Sequence, residues 1–301
     1  MALRPVERLL LAYLALTTTL ALVRVQGAPS CGWVVLANLL TAFLVALVAW
    51  GNRRGGAATL RTLYPLGLLL VLYPAIDILN RFGGVAVHDR IVQGWELALF
   101  HEEPSRTLRT AWTGTLWSPL FHAAYLAYYP IVAAPVLVAL RRGRHAAADR
   151  AVFWLMSTFL LCYVGFLFFP VAGPYYEFPR PPASFLDNWA ARTVYATLAR
   201  GSAYGAAFPS SHVAATIVAV IAAFGISRRL GWSLVLPAAL LVIGVVYCQM
   251  HYAVDAAAGL VVAAGIVLFS SWRGKGQGES SRAPDAPLTP PQELLSSPTE
   301  P

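Results

Sequence analysis

The chain reads as all-α, a polytopic membrane helix bundle of about eight transmembrane helices. Three observations predict this. Hydrophobic residues make up 58% of the chain and charged residues 12%, with mean hydropathy +0.61, more apolar surface than a soluble fold of 301 residues could hide. The apolar residues fall into eight runs, each about the ~20 residues needed to cross ~30 Å of hydrocarbon. Arginines cluster in the gaps between runs, as topology signals do.

The first run is Leu9–Val23, preceded by Arg4 and Arg8. A cleaved signal peptide cut near Gly27 is its rival reading, but Arg24 directly after the run and the further helices favour an uncleaved span. Trp33–Trp50, Leu63–Leu79, Leu116–Leu140, Val152–Phe169, Pro209–Ile226, Leu234–Met250 and Tyr252–Trp272 follow. With both termini in the cytoplasm, the inside holds Arg4, Arg8, Arg53, Arg54, Arg61, Arg141, Arg142, Arg144, Arg150, Arg228, Arg229, Arg273, Lys275 and Arg282. The other face keeps Arg24, Arg81, Arg90, Arg106, Arg109, Arg180, Arg192 and Arg200, so fourteen of the 22 basic residues lie inside against eight outside. This is the orientation the positive-inside rule selects. The formal charge of +8 (22 basic minus 14 acidic) therefore reflects topology rather than a phosphate-tracking groove, and no nucleic-acid partner is expected.

Two loops face the outer side. In Arg81–Thr115, Ile91, Trp95, Ala98 and Leu99 recur at helical spacing and predict a helix lying in the interface. His101-Glu102-Glu103 lacks a third spaced ligand and reads as a solvated face rather than a metal cluster. Val171–Ala207 opens proline-rich and aromatic, then restarts at Ser184-x-x-Asp187, a capping-box-like signal ahead of Trp189. Its Tyr175, Tyr176, Phe178 and Trp189 would roof whatever lies beneath. Asp77, inside the third run, is costly at membrane depth; it would pair with an arginine of these loops or line a cavity. Cys31, Cys162 and Cys248 form no C-x-x-C; a Cys31–Cys248 bridge is weighed against, and set below, simple helix-packing thiols. Gly274–Pro301, rich in Gly, Ser and Pro, predicts a disordered cytoplasmic tail.

The chemistry concentrates in two segments 39 residues apart, A-F-P-S-S-H ending at His212 and H-Y-A-V-D from His251 to Asp255. Pro-Ser-Ser before an apolar run is a helix start, whose free N–H groups suit a phosphate, with Ser210 and Ser211 as caps or phosphate ligands. His251 and Asp255 stand at i and i+4, on one helix face, where the carboxylate can orient the imidazole. In the orientation above, His212 and His251 meet at the same membrane face.

P-S-x-H followed by H-x-x-x-D after one helix pair resembles the type 2 phosphatidic acid phosphatase superfamily, the haloperoxidase-like phosphohydrolases. The form A-F-P-S-S-H and H-Y-A-V-D-A-A-A-G looks most like its inositol-phosphorylceramide-synthase-like branch, and Y-P-A-I-D and W-E-L-A-L-F-H-E-E-P-S in Tyr73–Leu108 extend that likeness more weakly. The family's arginine six residues before the second histidine is Val245 here; of its first motif only Arg180-Pro181 remains, with Gly173 in the lysine's place. The resemblance implies N-terminal helices over 1–150, a catalytic core over 151–273 and the tail over 274–301. It also implies His251 as nucleophile through a phosphohistidine, His212 as proton donor, and Ser210, Ser211 and Arg180 as phosphate ligands. No metal and no cofactor is expected. The expected partners are the bilayer and a membrane lipid substrate, with oligomeric state open. Water as acceptor would make a lipid phosphatase acting, for example, on phosphatidic acid or an isoprenyl phosphate. An alcohol acceptor would make a phosphotransferase of sphingolipid type. A non-catalytic lipid-binding or transport protein is the reading from another class.

Overall fold

Apolar runs of this length can satisfy their backbone within hydrocarbon only as helices. The computed structural model describes residues 3–51, 58–113 and 115–280, the last ten of these by backbone alone. Helices α1 (Pro5–Arg24) and α2 (Cys31–Gly51) pair with one another. α3 (Ala58–Gly67), α4 (Leu69–Asp77) and a π-turn (Ile78–Phe82) form one continuous segment interrupted at Pro65 and Pro74. α5 (Asp89–Phe100) and α6 (Pro104–Ala111) occupy the first long loop. α7 (Trp117–Leu126) and α8 (Tyr128–Arg141) together make the next span, and α9 (His145–Phe168) the one after it. The second long loop carries α10 (Pro174–Glu177), α11 (Ala183–Leu186) and α12 (Trp189–Gly201). α13 (Ser211–Ile226), α14 (Arg228–Tyr247) and α15 (Ala253–Ser280) complete the chain.

Among the described residues seven helical segments are long and apolar enough to cross a membrane. The sixth predicted run differs. α13 has 16 residues, about 24 Å at 1.5 Å per residue, and it starts at Ser211 rather than Pro209. It packs against α14, α8 and α9, with most of its side chains buried. A helix that is apolar on every side is a buried one, and α13 is the axis around which the neighbouring helices gather.

Other expectations are corrected in detail. The cap of α12 is Asn188, whose side chain accepts from Ala191 N–H at 2.9 Å, while Asp187 pairs with Arg192. The division at 150/151 falls inside α9, and α15 continues past 273 to Ser280. Residues up to Val267 form one compact unit and Leu268–Pro301 a second. Arg53, Arg54, Arg282 and most of the predicted tail lie outside the described residues. The three cysteines are buried free thiols.

One ion pair is deeply buried. Arg61 Nε and Nη2 each donate at 2.7 Å to the two carboxylate oxygens of Glu7, at 8% and 0% exposure. Removing one partner of such a pair strands the other charge and costs about 3–5 kcal/mol. Glu7→Leu should therefore lower the Tm of the detergent-solubilised protein sharply, and Glu7→Leu with Arg61→Leu should recover most of the loss.

Candidate active site

The site is built on the start of α13 and the turn between α14 and α15. Ser210 caps α13, its hydroxyl accepting from Val213 N–H at 3.4 Å, and its own N–H donates to the Asp255 carbonyl at 2.9 Å. α15 can come this close because residue 259 is glycine: a Cβ there would lie 2.6 Å from the Ser210 carbonyl oxygen. The Phe208–Pro209 peptide is cis, and His212 follows one residue inside the helix.

His212 and His251 meet. Nδ1 of His212 and Nε2 of His251 are 3.4 Å apart, and the ring centroids 5.5 Å. His251 Nδ1 contacts the Ala207 carbonyl at 2.9 Å. A carbonyl only accepts, so Nδ1 carries the proton. Burial lowers the pKa of His251 to about 4, so at neutral pH the ring is uncharged and Nε2 holds a free lone pair. His212 must then donate through Nδ1, which leaves its Nε2 to accept from the Tyr125 hydroxyl at 3.1 Å. The result is an ordered chain from Tyr125 through both imidazoles to Ala207.

Asp255 is completely buried, but its role differs from the simple orienting one. Its nearest carboxylate oxygen is 3.6 Å from His251 Nδ1, too far for a hydrogen bond, and accepts from Tyr252 N–H at 2.8 Å. Asp255 therefore shapes the turn and places a carboxylate beside the imidazole, while Ala207 fixes the tautomer. Ser210 is buried and occupied as a cap; Ser211 opens toward the cavity described below. Arg180 is exposed, and no hydrogen bond or ion pair links it to either histidine. Asp77, left open between two roles, pairs with Arg81 at 3.1 Å and accepts from Tyr204 N–H at 2.8 Å.

The sequence did not reveal what α5 does. Its apolar residues Ile91, Trp95 and Leu99 point outward, while Asp89 and Glu96 face in, at 2% and 0% exposure. Asp89 accepts from Ala172 N–H and Gly173 N–H, both at 2.8 Å, and from the Tyr252 hydroxyl at 3.1 Å. Gln93 donates to the same hydroxyl at 2.8 Å. Glu96 accepts from Ala253 N–H at the start of α15. The i, i+4, i+7 spacing of Asp89, Gln93 and Glu96 was the available signal. The apolar repeat of the same helix, read as an interfacial face, drew attention away from it.

His212 and Ser211 line a cavity of about 490 Å³. Its walls come from α3, α4, α7, α8, α9 and α12: Leu66, Leu69 and Leu70 are followed by Tyr73, Tyr128, Phe159, Tyr163 and Leu198. The lining is mostly apolar, with Thr197, Ser202 and five tyrosines beside Ser211 and His212. Trp189, expected in the roof, is 67% exposed and takes no part in the lining; Tyr175 instead packs on Tyr195, and Phe178 on Tyr252.

Residues 96–269, more than half of the chain, match the family described as the PAP2 superfamily, and the chain belongs to it. Its bundle of apolar helices and its family make the chain a membrane protein of phosphatase type. No curated protein and no solved structure matches it.

Glu96 gives the site a measurable signature. Burial raises its pKa from 4.5 to about 7, opposed by the N–H bonds from Ala253 and Val254. Because the folded value lies above the unfolded one, the stability tied to protonated Glu96 is complete below about 4.5 and is lost as pH rises toward about 7. Glu96→Gln keeps an acceptor for Ala253 N–H without the charge. Its Tm should vary less with pH across that interval than the wild type's, whereas Glu96→Ala should lose the cap and fall in Tm at every pH.

Proposed function

We propose that the protein is an integral-membrane lipid phosphatase or phosphotransferase that works through a phosphohistidine on His251. The observation that carries this reading is the histidine pair itself: one ring with its tautomer fixed and its Nε2 lone pair turned to the other, and that other ring lining a largely apolar cavity. The lipid tail lies among Leu69, Tyr73 and Phe159, which brings its phosphate to His212 and the start of α13. His251 Nε2 attacks phosphorus as the bond to the lipid oxygen breaks, and His212 Nδ1 gives its proton to the departing oxygen. Water or an alcohol then attacks the phosphohistidine, breaking the P–N bond and returning its proton to His212.

Geometry sets one condition. In-line attack needs nitrogen about 3–3.5 Å from phosphorus and a donor within about 3 Å of the leaving oxygen. The histidines, 3.4 Å apart, must part to admit the phosphoryl group. Its negative charge replaces the neutral contact between them and favours the protonated form of His212 that an acid requires. Among the described residues no three His, Cys, Asp or Glu side chains form a metal-binding group.

The form H-Y-A-V-D supports an inositol-phosphorylceramide-synthase-like transferase. Trp189 is 67% exposed and does not line the cavity, so it does not supply the water exclusion a transferase needs, which favours the second reading, a simple lipid-phosphate phosphatase. Assays with a phospholipid donor and alcohol acceptors separate the two: a new phosphodiester marks a transferase, and inorganic phosphate with every acceptor marks a phosphatase. In the orientation set by the arginines, with both termini cytoplasmic, the site opens on the extracytoplasmic face.

Two outcomes are expected. His251→Ala should lose turnover by several orders of magnitude and yield no trappable phosphoenzyme. His212→Ala should be slowest with poor leaving groups and partly recover with activated phosphate esters; a phosphoenzyme persisting in His251→Ala would reverse the roles. For topology, a membrane-impermeant thiol reagent should reach a cysteine at exposed Glu177 from outside and not one at Arg142. Labelling at Arg142 would invert the orientation.

A further inference from the structure

The PAP2-like reading leaves a charge unaccounted for. The family resemblance calls for cations at positions 173 and 245, and these are Gly173 and Val245, the latter at 0% exposure within α14. Seven arginines lie in the loops 81–115 and 171–207. Arg81, Arg90, Arg106, Arg180, Arg192 and Arg200 are exposed, and three of these are paired with Asp77, Glu103 and Asp187.

Arg109, on α6, differs from all six: it is partly buried, and no carboxylate lies within ion-pair distance of it among the described residues. A guanidinium withdrawn from water without a counter-ion is costly unless an anion completes it. Its partner is Gln249, whose Oε1 accepts from Nη1 at 3.1 Å. Arginine only donates, so the contacting atom of Gln249 is its oxygen and the other terminal atom is the amide nitrogen. That nitrogen is buried and has no acceptor, in a side chain 2% exposed. Gln249 also holds φ +59°, a conformation that non-glycine residues adopt at a cost, most often where function requires it. It stands two residues before His251, in a turn where Met250 N–H and His251 N–H both bond to the Val245 carbonyl.

We infer that Arg109 and the Gln249 carboxamide form the phosphoryl-oxygen cradle of this site, supplying from α6 and the His251 turn the donors that the chain lacks at 173 and 245. The ligand chemistry is a tetrahedral oxyanion: the phosphate of a lipid headgroup in turnover, inorganic phosphate afterwards. Arg109 has a charged fork and Gln249 a spare N–H to give to the equatorial oxygens that carry the charge of the transition state. Partly buried Tyr195 adds support. Burial raises its pKa while Arg109 and Arg180 both act to lower it, so its ring lies in the field of both guanidinium groups. Arg180 is the exposed cation at the rim of the same region, and Arg109 the one within reach of the turn.

The inference rests on the proposed function, and the test separates the two. Orthovanadate serves as the phosphate-shaped probe, measured by inhibition of lipid-phosphate turnover and by its stabilising shift in Tm on the full-length protein in detergent. A hydrogen bond to a charged group contributes enough to predict a loss of vanadate affinity of about 10- to 100-fold in Arg109→Ala, with a smaller loss in Gln249→Leu. Guanidinium ion added to Arg109→Ala should restore part of both turnover and vanadate affinity, a rescue that a purely structural arginine would not show. Arg106→Ala, on the same helix but exposed and paired with Glu103, should match the wild type. If Arg109→Ala does not fold, Arg109→Lys carries the test and should weaken vanadate while leaving Tm without vanadate unchanged. Wild-type vanadate affinity in the folded Arg109 variants overturns this inference alone; a wild type that neither binds vanadate nor turns over any lipid phosphate overturns the functional reading with it.

Discussion

The 2.9 Å hydrogen bond from His251 Nδ1 to the Ala207 carbonyl is the interaction on which the site depends. It decides which imidazole nitrogen carries the proton, and it does so with a backbone atom of a loop that is buried among Val92, Val171 and Tyr252. The structure adds a closed circuit of hydrogen bonds. Ala207 N–H bonds to Val171 at 2.9 Å, and Val171 N–H to Gly205. The next two N–H groups, of Ala172 and Gly173, are held by Asp89. α5 then returns through Gln93 to Tyr252 and through Glu96 to Ala253, the two residues that follow His251. Every member is buried or partly buried, so each bond is stronger than it would be in water and each break leaves an orphaned polar group.

The same circuit explains why a helix outside the bundle carries buried acids. α5 exposes Trp95 and Leu99 and turns Asp89 and Glu96 inward, the reverse of a soluble amphipathic helix. In a membrane protein the outer surface is lipid or interface, where apolar side chains are at no disadvantage. The inner surface here consists of unpaired N–H groups at Ala172, Gly173 and the start of α15. A carboxylate at a helix N-terminus satisfies such groups and meets the favourable end of the helix dipole. Asn80 makes a comparable closure on the other side, donating to the Phe166 and Tyr204 carbonyls and locking the end of α9 to the loop that delivers Ala207.

Much of this was legible in the residues. Length and apolarity marked the spans, because hydrocarbon leaves the backbone no alternative to helix. P-S-S-H and H-x-x-x-D marked the histidines, because a helix start and an i, i+4 pair impose their geometry locally. What escaped was whatever depends on contacts distant in sequence. That Ala207 rather than Asp255 would take the Nδ1 proton needs a loop 44 residues away. That Asn188 rather than Ser184 would cap α12 turns on where a short helix stops. The Arg109–Gln249 contact spans 140 residues. Periodicity located α5 and its outward apolar face correctly, but it records where apolar residues recur and says nothing of the acids on the opposite face or of the N–H groups they meet.

The departure at position 173 is tied to the fold. Gly173 has φ +90°, and a Cβ there would lie 2.9 Å from the Ala207 Cβ and 3.3 Å from the Met250 carbonyl oxygen. A lysine would have to strain the backbone and push apart the two segments that hold His251, one through Ala207 and the other through the turn itself. Its removal allows the 171–173 segment to lie flat against 205–207 and present both N–H groups to Asp89. With that arrangement position 173 cannot carry the first motif's lysine, and Val245, sealed inside α14, cannot provide a cation either. Positive charge has to approach from an element that the circuit leaves free. α6 is such an element: it follows α5, packs on α14, and reaches the turn before His251 with the one loop arginine that is neither fully exposed nor paired.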